Sequence, residues 1–403
     1  MRWLLNNAPK HVVRPLRPRF WTRPLSTIAS DLNDAGRVSV PVGSSGNVHI
    51  DLYNLGKISS TEPLLVYLPP SPTAASTGGL TRLPKFAQPH ATAVIHYRWT
   101  ASSADEESQA VHERFTPGWP APLHDTLKAY TWVVENLAPT DHARRDIYVY
   151  GSYLGATLAA SLALTESRPH ERMAVRGCVA YNGIYDWTMF LPDHPINKPP
   201  AAVSRNLLEE ILSHSEDSDF QELKKMSREL FNKPGDFFDP FASPCLFFRT
   251  PGLLIPPSFD DSAIPSPAVL ADLLWASDEE KEVPAPPKQP RKRWVDFPPL
   301  NSSLKIPDML ILHDIPPSLP PSFLRRRQRR KKNSYGNSFQ AQAKELASLM
   351  RKSVNKIELV ERMRWDESLD EDNDLADRRV QVHDVGVEGH GAATAAWLEE
   401  RMQ

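Results

Sequence analysis

The sequence predicts an α/β protein in which helices cover both faces of a doubly wound, mostly parallel sheet. Strand-like and helix-like segments alternate along much of the chain, which is typical of this class. Two short, uninterrupted apolar runs, Leu64–Leu68 and Thr92–Tyr97, have the composition of parallel strands buried on both faces. In Asp146–Thr165, a β-branched and aromatic run, a glycine and an apolar segment indicate strand, tight turn and buried helix in succession.

The remaining elements follow from the spacing of apolar residues. Strands are predicted where β-branched or alternating apolar residues occur, at Arg37–Pro41, Val48–Tyr53, Ile147–Tyr150, Val175–Tyr181, Ile306–His313 and Val380–Val385, with an extra strand at Ile357–Met363. Helices are predicted at Leu80–Gln88 (one or two turns), Leu123–Leu137, Leu154–Leu164, Val203–Leu212, Phe220–Phe231, Ala268–Ala276, Ser334–Ser353 and Ala392–Arg401. The loop before the last helix is predicted at Val387–Gly391.

Composition limits the function classes. The formal net charge is −2, so no global field favours nucleic acid or a membrane surface. The two cysteines, Cys178 and Cys245, imply no disulfide framework, which suits a reducing compartment. No apolar run approaches the ~18 residues of a membrane-spanning helix. The 39 prolines fall largely in clusters that mark loops and linkers.

Met1–Ser30 is basic and contains no acidic residue, since the first acid of the chain is Asp31. This composition is typical of a mitochondrial transit peptide. Arg23 stands shortly before Ser26 and Thr27, as in a matrix-processing site. We therefore expect a mitochondrial matrix protein; the alternative is a disordered basic tail on a cytoplasmic protein.

The turn within Asp146–Thr165 reads Gly151-Ser152-Tyr153-Leu154-Gly155. It resembles the nucleophile elbow Gly-x-Ser-x-Gly of the α/β-hydrolase superfamily, lipase/esterase-like branch. Gly151 and Gly155 stand at the two glycine positions, which allow neighbouring backbone to pass close to a strained residue. Tyr153 stands where the resemblance places the nucleophilic serine. The resemblance covers roughly Leu64–Leu191 and Ile306–Met402.

The resemblance also implies positions for the base and the acid. His390, in Glu388-Gly389-His390-Gly391, follows the last predicted strand and precedes the closing helix, where these enzymes keep their catalytic histidine. Asp314 directly follows Ile306–His313 and is the nearest candidate for the acid. Its alternative role is that of a turn residue at a strand end.

The oxyanion hole departs most from the family pattern. The resemblance implies that the N–H of Leu154 is one donor and that the loop after Leu64–Leu68 supplies the other. That loop reads Pro69-Pro70-Ser71-Pro72-Thr73, and proline has no N–H to donate. Gly78-Gly79 is the remaining source of a donor if the loop folds back.

Two residues compete for the role of nucleophile. A free phenol has a pKa of ~10, so Tyr153 carries little phenolate at neutral pH, and its ring would fill the space of an acyl group. Ser152 is the alternative nucleophile, but a shift of one residue turns a side chain away from the pocket at a strand end.

The chain divides into a transit peptide at 1–30, a first core part at 37–191, an insertion at 192–304 and a second core part at 305–403. The resemblance implies that the insertion is a proline-rich cap, or lid. The second core part carries a basic loop at 325–332 and an acidic loop at 366–377. Arg325–Lys332 holds seven cations in eight residues, which suits an anionic partner such as RNA or lipid, although a solvated loop is the simpler interpretation.

The sequence therefore predicts a catalytically degenerate relative of carboxylic-ester hydrolases that acts as a binding or scaffold protein. A small acyl or ester compound under the cap is the expected ligand, and no cofactor or metal is expected. The alternatives are an active serine hydrolase using Ser152 and His390, and a mitochondrial protein that contacts RNA or membrane through Arg325–Lys332. The pattern predicts no oligomeric state.

Overall fold

The computed structural model of the protein describes residues 35–57, 61–71, 80–99, 118–139, 142–197, 218–259, 290–314, 337–359, 375–386 and 389–402. Within these residues the chain forms one eight-stranded sheet. The strands, in chain order, are β1 (Ala35–Pro41), β2 (Asn47–Tyr53), β3 (Leu64–Leu68), β4 (Ala91–His96), β5 (Arg145–Ser152), β6 (Met173–Tyr181), β7 (Asp308–Asp314) and β8 (Val380–Val385).

The strand order across the sheet is β1-β2-β4-β3-β5-β6-β7-β8. Within the described part of the chain, β2 pairs antiparallel with β1 and β4, and every other neighbouring pair is parallel. An antiparallel second strand and the exchanged places of β3 and β4 are the topology of the α/β-hydrolase fold. The predicted fold class is confirmed.

The described helices, in chain order, are α1 (Ala121–Leu137), α2 (Leu154–Glu166), α3 (Ser218–Leu230), α4 (Phe339–Ser353), α5 (Leu375–Arg379) and α6 (His390–Arg401). Side chains of α1, α2 and α4 belong to the hydrophobic cluster on one face of the sheet. Trp397 and Leu398 of α6 pack on the other face, together with Leu83 and Phe86. The sheet is therefore covered on both faces, as a doubly wound fold requires. None of the helices in the described ranges is long and apolar enough to cross a bilayer.

Strand β5 occupies the middle of the sheet because both of its faces are apolar. Ile147 and Val149 enter the cluster with α2, whereas Tyr148 and Tyr150 enter the opposite one. Helix α2 is buried along Leu154–Leu164, which explains why its sequence has small and apolar residues on every side.

Two predicted elements are wrong. The segment Leu80–Gln88 forms consecutive turns around residues 85–89 instead of a helix, because Pro84 and Pro89 interrupt the backbone ladder. Val354–Leu359 is a π-helical extension of α4 and not the start of a strand, since burying Val354 and Leu359 in the core holds it against the helix end. Residues 360–363 of that predicted strand lie outside the described residues.

Other helix boundaries differ from the predicted ones, and some predicted elements lie outside the described residues. Helix α4 begins only at Phe339, where the Ser338 hydroxyl accepts a hydrogen bond from the Ala341 N–H at 3.2 Å. Helix α6 begins at His390, so the predicted loop is shorter. The predicted helices Val203–Leu212 and Ala268–Ala276 lie outside the described residues, as do residues 1–30, the basic loop 325–332 and residues 366–374 of the acidic loop.

The insertion between β6 and β7 is attached to the core by a polar group that we call the insertion anchor: the buried Asp186, Arg249 and Gln342, and the half-exposed Glu345. Arg249 Nη2 donates to Asp186 Oδ2 at 2.5 Å and Nε donates to Glu345 Oε1 at 3.0 Å. Gln342 Oε1 accepts from the Asp186 N–H at 2.8 Å. Because Arg249 lies in the insertion and Gln342 in α4, these bonds fix the insertion to the sheet's helical layer.

Candidate active site

The turn between β5 and α2 has the backbone of a nucleophile elbow. Tyr153 adopts φ 52° and ψ −116°, a strained conformation for a residue with a side chain. A Cβ added to Gly151 would lie 2.3 Å from the Gly155 carbonyl oxygen. A Cβ added to Gly155 would lie 2.4 Å from the carbonyl oxygens of Leu68 and Pro69. Only glycine fits at either position, as the sequence predicts.

The Tyr153 side chain is half-buried and held from three sides. Its hydroxyl donates to Asp219 Oδ2 at 2.8 Å, and its ring lies edge-on to Tyr181 and Phe339 with centroid distances of 5.8 Å. Burial and the hydrogen bond to Asp219 raise the pKa of the Tyr153 phenol to about 12, while Asn182 acts in the opposite direction. The phenol is therefore a hydrogen-bond donor and not a phenolate at neutral pH.

Tyr181, the last residue of β6, connects the three positions that the resemblance assigned to catalysis. Its hydroxyl lies 2.9 Å from each carboxylate oxygen of Asp314. Its ring stacks on the His390 imidazole with a centroid distance of 4.2 Å and an interplanar angle of 11°. Burial, and then the hydrogen bond to Asp314, raise the pKa of Tyr181 well above its usual range. Tyr153, His390 and Asp314 thus meet at one edge of the sheet, around a tyrosine.

Asp314 lies at the carboxyl end of β7 and is bonded to the next strand. Asn182, which has φ 49°, donates from Nδ2 to Asp314 Oδ2 at 2.7 Å. In return, Asn182 Oδ1 accepts from the Asp314 N–H at 2.9 Å. Among the described residues, the Asp314 carboxylate accepts its side-chain hydrogen bonds from Tyr181 and Asn182. Asp314 therefore lies at the predicted end of β7, where it is hydrogen-bonded to Asn182, the residue that follows β6.

The two other candidate groups, His390 and Ser152, lie in α6 and β5. His390 is the first residue of α6 and is half-buried over Tyr181, while Glu388 lies outside the described residues. Ser152 is the last residue of β5 and is only 6% exposed. Its side chain points to the face that holds Tyr150, whose phenol it bonds. Its role as the alternative nucleophile stays a prediction.

The expected oxyanion donor is already bonded within the protein. The Leu154 N–H donates to the Pro70 carbonyl oxygen at 3.3 Å. The Pro69 carbonyl is held as well, accepting from the Tyr97 hydroxyl at 2.7 Å. Gly78-Gly79, the other expected source of a donor, lies outside the described residues. In the described part of the loop, two carbonyl oxygens are fixed near the elbow where donors are needed.

Sequence reasoning missed four side chains of the site: Tyr181, Asn182, Asp219 and Phe339. Tyr181 and Asn182 carried a usable signal. Tyr181 ends a buried strand and Asn182 follows it, and parallel strands end at one edge of the sheet. Asp219 and Phe339 lie in the first turns of helices α3 and α4 and carried none. We call Tyr153, Tyr181, Asn182, Asp219, Asp314 and His390 the elbow cluster.

The likenesses of this chain to known proteins are distant. No family model matches the sequence, and no curated protein matches it. The structure is similar to an esterase of Pyrobaculum calidifontis (14% identity, TM-score 0.44, covering 94% of this chain and 87% of that chain). It is also similar to carboxyl esterase 2 of Tuber melanosporum (13%, 0.44, 91% and 86%) and to the esterase LipW of Mycobacterium marinum (16%, 0.40, 82% and 72%).

The protein has the α/β-hydrolase fold. The order and direction of the chain's own strands and the elbow after β5 define this fold.

Proposed function

We propose that this α/β-hydrolase-fold protein is catalytically degenerate and uses the elbow cluster to bind a ligand or partner instead of hydrolysing an ester. The observation that carries the proposal is Tyr153, which stands at the elbow with its phenol bonded to Asp219. With its pKa raised to about 12, the Tyr153 phenol stays protonated at neutral pH. The residue in the nucleophile position is thus chemically unsuited to acyl transfer.

The second support is electrostatic. An oxyanion hole needs N–H groups that point at the developing negative charge, and the loss of one donor costs about 10²–10³ in rate. The Leu154 N–H is bonded to the Pro70 carbonyl, and Pro69 and Pro70 have no N–H. A tetrahedral intermediate placed at the elbow would meet carbonyl oxygens.

The third support is the arrangement of base and acid. A catalytic carboxylate orients the histidine by accepting its ring N–H. Asp314 instead accepts from Tyr181 and Asn182, and the Tyr181 ring covers one face of His390. Aromatic surface and satisfied polar groups suit binding of a small acyl or ester compound under the insertion, which is the ligand class we propose.

Activity-based labelling tests the proposal. Purified protein should not react with a fluorophosphonate probe, and it should hydrolyse p-nitrophenyl acetate no faster than its His390→Ala variant. Labelling that persists in Tyr153→Phe and disappears in Ser152→Ala would replace the proposal with the alternative, a serine hydrolase using Ser152 and His390.

A gain-of-function variant tests the same proposal from the other side. Tyr153→Ser places a hydroxyl at the elbow, so we expect probe labelling through His390 but little ester turnover, since the oxyanion donors are still missing. The double variant Tyr153→Ser/His390→Ala is the control and should not label. Turnover like that of an ordinary esterase would refute the oxyanion argument.

Localisation is a separate proposal and rests on the sequence alone. We propose import into the mitochondrial matrix, directed by Met1–Ser30. A reporter fused to these residues should enter mitochondria and be shortened to begin near Ser26. A diffuse, full-length cytosolic reporter would contradict it. An RNA or lipid partner at Arg325–Lys332 remains the alternative role of the basic loop.

A further inference from the structure

Two segments of the insertion lie side by side and form what we call the ribbon, residues 248–255 and 291–295. An antiparallel bridge joins Arg249 to Trp294. Two backbone hydrogen bonds of 2.8 Å flank this bridge, one running in each direction between the segments. The ribbon is therefore a short piece of paired, extended chain outside the eight-stranded sheet.

The inner face of the ribbon is fixed to the body of the protein. Arg249 donates to Asp186 and to Glu345, as described for the insertion anchor. The Trp294 ring lies against α4, with the Lys352 ammonium 4.6 Å from its centroid. Because both inner side chains are held, the outer face of the ribbon has a defined shape before any partner binds, which lowers the entropic cost of binding.

The outer face of the ribbon is cationic. Successive side chains of extended chain point to opposite faces, so Arg291, Arg293 and Val295 lie on the face opposite to Trp294. All three are exposed. Among the described residues, neither Arg291 nor Arg293 forms an ion pair. Their charges are therefore available to an anionic partner.

The same ribbon carries exposed apolar side chains. Leu254, Ile255 and Val295 are 45%, 59% and 40% exposed, and they make up three of the five exposed large apolar side chains in the described part of the chain. A Cβ added to Gly252 would lie 3.1 Å from the backbone nitrogen of Lys292, so the two segments still touch there. Leu254 is two residues further on, within about 7 Å of that contact. Single exposed apolar residues are ordinary, but several on one small element indicate an interaction surface.

We propose that the outer face of the ribbon binds the surface of a membrane that contains anionic lipids. Leu254 and Ile255 at one end enter the boundary between headgroups and acyl chains, and Arg291 and Arg293 bind lipid phosphates beside them. A bilayer offers both an anionic surface and an apolar layer. A single-stranded nucleic acid offers bases that stack on aromatic rings, and the aromatic ring of the ribbon, Trp294, faces inward.

Vesicle co-sedimentation of the full-length protein tests the proposal. It compares vesicles of pure phosphatidylcholine with vesicles of an equal mixture of phosphatidylcholine and phosphatidylserine. We expect about tenfold tighter binding to the mixed vesicles, and weaker binding as salt is added. Arg291→Gln/Arg293→Gln should weaken that binding about tenfold, because each cation near an anionic surface contributes to affinity.

The apolar side chains are tested by a second pair of substitutions. Leu254→Ser/Ile255→Ser should also weaken binding to the mixed vesicles about tenfold, because the apolar area buried in the membrane is lost. All four substituted side chains are exposed, so the variants should fold, which thermal unfolding checks. Leu254→Gln/Ile255→Gln replaces the serine pair if that pair does not fold.

The chain offers a matched control on the other face of the sheet. Leu80 is 43% exposed, and Arg82 and Lys85 are exposed cations of the same segment. Their neighbours Leu83 and Phe86 pack on the face of the sheet opposite to the ribbon. Leu80→Ser and Arg82→Gln/Lys85→Gln should bind the mixed vesicles like the unmodified protein, although the second variant loses as much charge as the arginine pair does.

Three outcomes would overturn the proposal. The first is absence of binding to the mixed vesicles. The second is binding that neither ribbon variant weakens, since another basic segment such as Arg325–Lys332 would then account for it. The third is binding that the arginine pair weakens and the Leu254/Ile255 pair leaves unchanged. In that case, competition by a uridine oligonucleotide would reassign the surface to nucleic acid.

Discussion

The elbow cluster and the insertion anchor are two polar groups of similar size with opposite physical settings. In the insertion anchor, Asp186 is fully buried and Arg249 is 6% exposed, so the charges have no water to replace a lost partner. In the elbow cluster, Tyr153, Asp314 and His390 are half-buried at the sheet edge. Both groups are bonded internally, but only the insertion anchor holds a buried ion pair, so we expect stability to depend more on its bonds.

Under the proposed function, this difference would let the site lose its chemistry without losing its fold. The elbow demands a particular backbone, set by Gly151 and Gly155, and is tolerant of the side chain between them. Tyr153 occupies the nucleophile position because the pocket supplies Asp219, Tyr181 and Phe339 as partners for it. The anchor, by contrast, depends on the pair of Asp186 and Arg249, since removing one of these charges leaves the other buried.

The largest effect is expected at the anchor. Arg249→Met should lower the free energy of unfolding by about 3–5 kcal/mol, because Asp186 would keep a buried charge without its partner. Arg144→Met is the matched control: Arg144 also pairs with an aspartate but is 54% exposed, so its loss should cost about 1 kcal/mol or less. Urea unfolding measures both. Equal losses would show that burial does not distinguish the two ion pairs.

The next largest effect on stability is expected at the elbow backbone. Gly155→Ala should cost about 3 kcal/mol, because the new methyl group would meet two backbone oxygens at 2.4 Å. Gly391→Ala, in helix α6 with open space around it, should be neutral or stabilise by up to about 1 kcal/mol. Thermal unfolding of the two variants compares them. A Gly155→Ala protein as stable as Gly391→Ala would mean that the elbow backbone is as tolerant as its side chain.

A third prediction tests, by changing the pH, whether the buried Asp51 carboxylate stabilises the protein. Burial alone would raise the pKa of Asp51, but hydrogen bonds from His96, Arg37 and the Thr81 N–H outweigh it and hold the pKa well below its usual range. A carboxylate with a depressed folded pKa stabilises the protein above its unfolded pKa of ~3.9, and this stability is lost as the pH falls further.

Asp51→Asn should therefore cost about 2 kcal/mol at pH 7, and the difference from the unmodified protein should shrink as the pH is lowered from 4 to 2. Asp377→Asn, at a carboxylate that is 59% exposed, should show neither effect. Urea titrations across this pH range provide the measurement. A difference that stays constant with pH would show that the Asp51 carboxylate is not the source of stability.

The smallest effect is expected at the elbow side chain. Tyr153→Phe removes the hydrogen bond to Asp219 at a half-exposed position, so it should cost only about 0.5–1 kcal/mol. Asp219→Ala, and the double variant, complete a double-mutant cycle, in which most of the loss should be shared between the two single variants. A cost comparable to that of Arg249→Met would erase the contrast between the two polar groups.

The sequence by itself determined the elements whose signals are local. Strand β8 has its predicted bounds, and α2 and α6 lie where apolar spacing places them. The elbow was readable because a strand, two glycines and a buried helix are adjacent in the chain. Sequence order also placed Asp314 at the end of one strand and His390 shortly after the last strand, and parallel strands bring such ends to one edge.

Only the tertiary structure decided which of these groups bond to one another. Tyr181 and Asp314 are 133 residues apart, Tyr153 and Asp219 are 66 apart, and Leu154 meets Pro70 across two neighbouring parallel strands. The periodicity of apolar residues indicates which face of an element is buried, but not which distant polar group will contact that element. Because a hydrogen bond requires atoms within about 3.5 Å, its partner is set by strand register and helix packing, which form only when the whole sheet does.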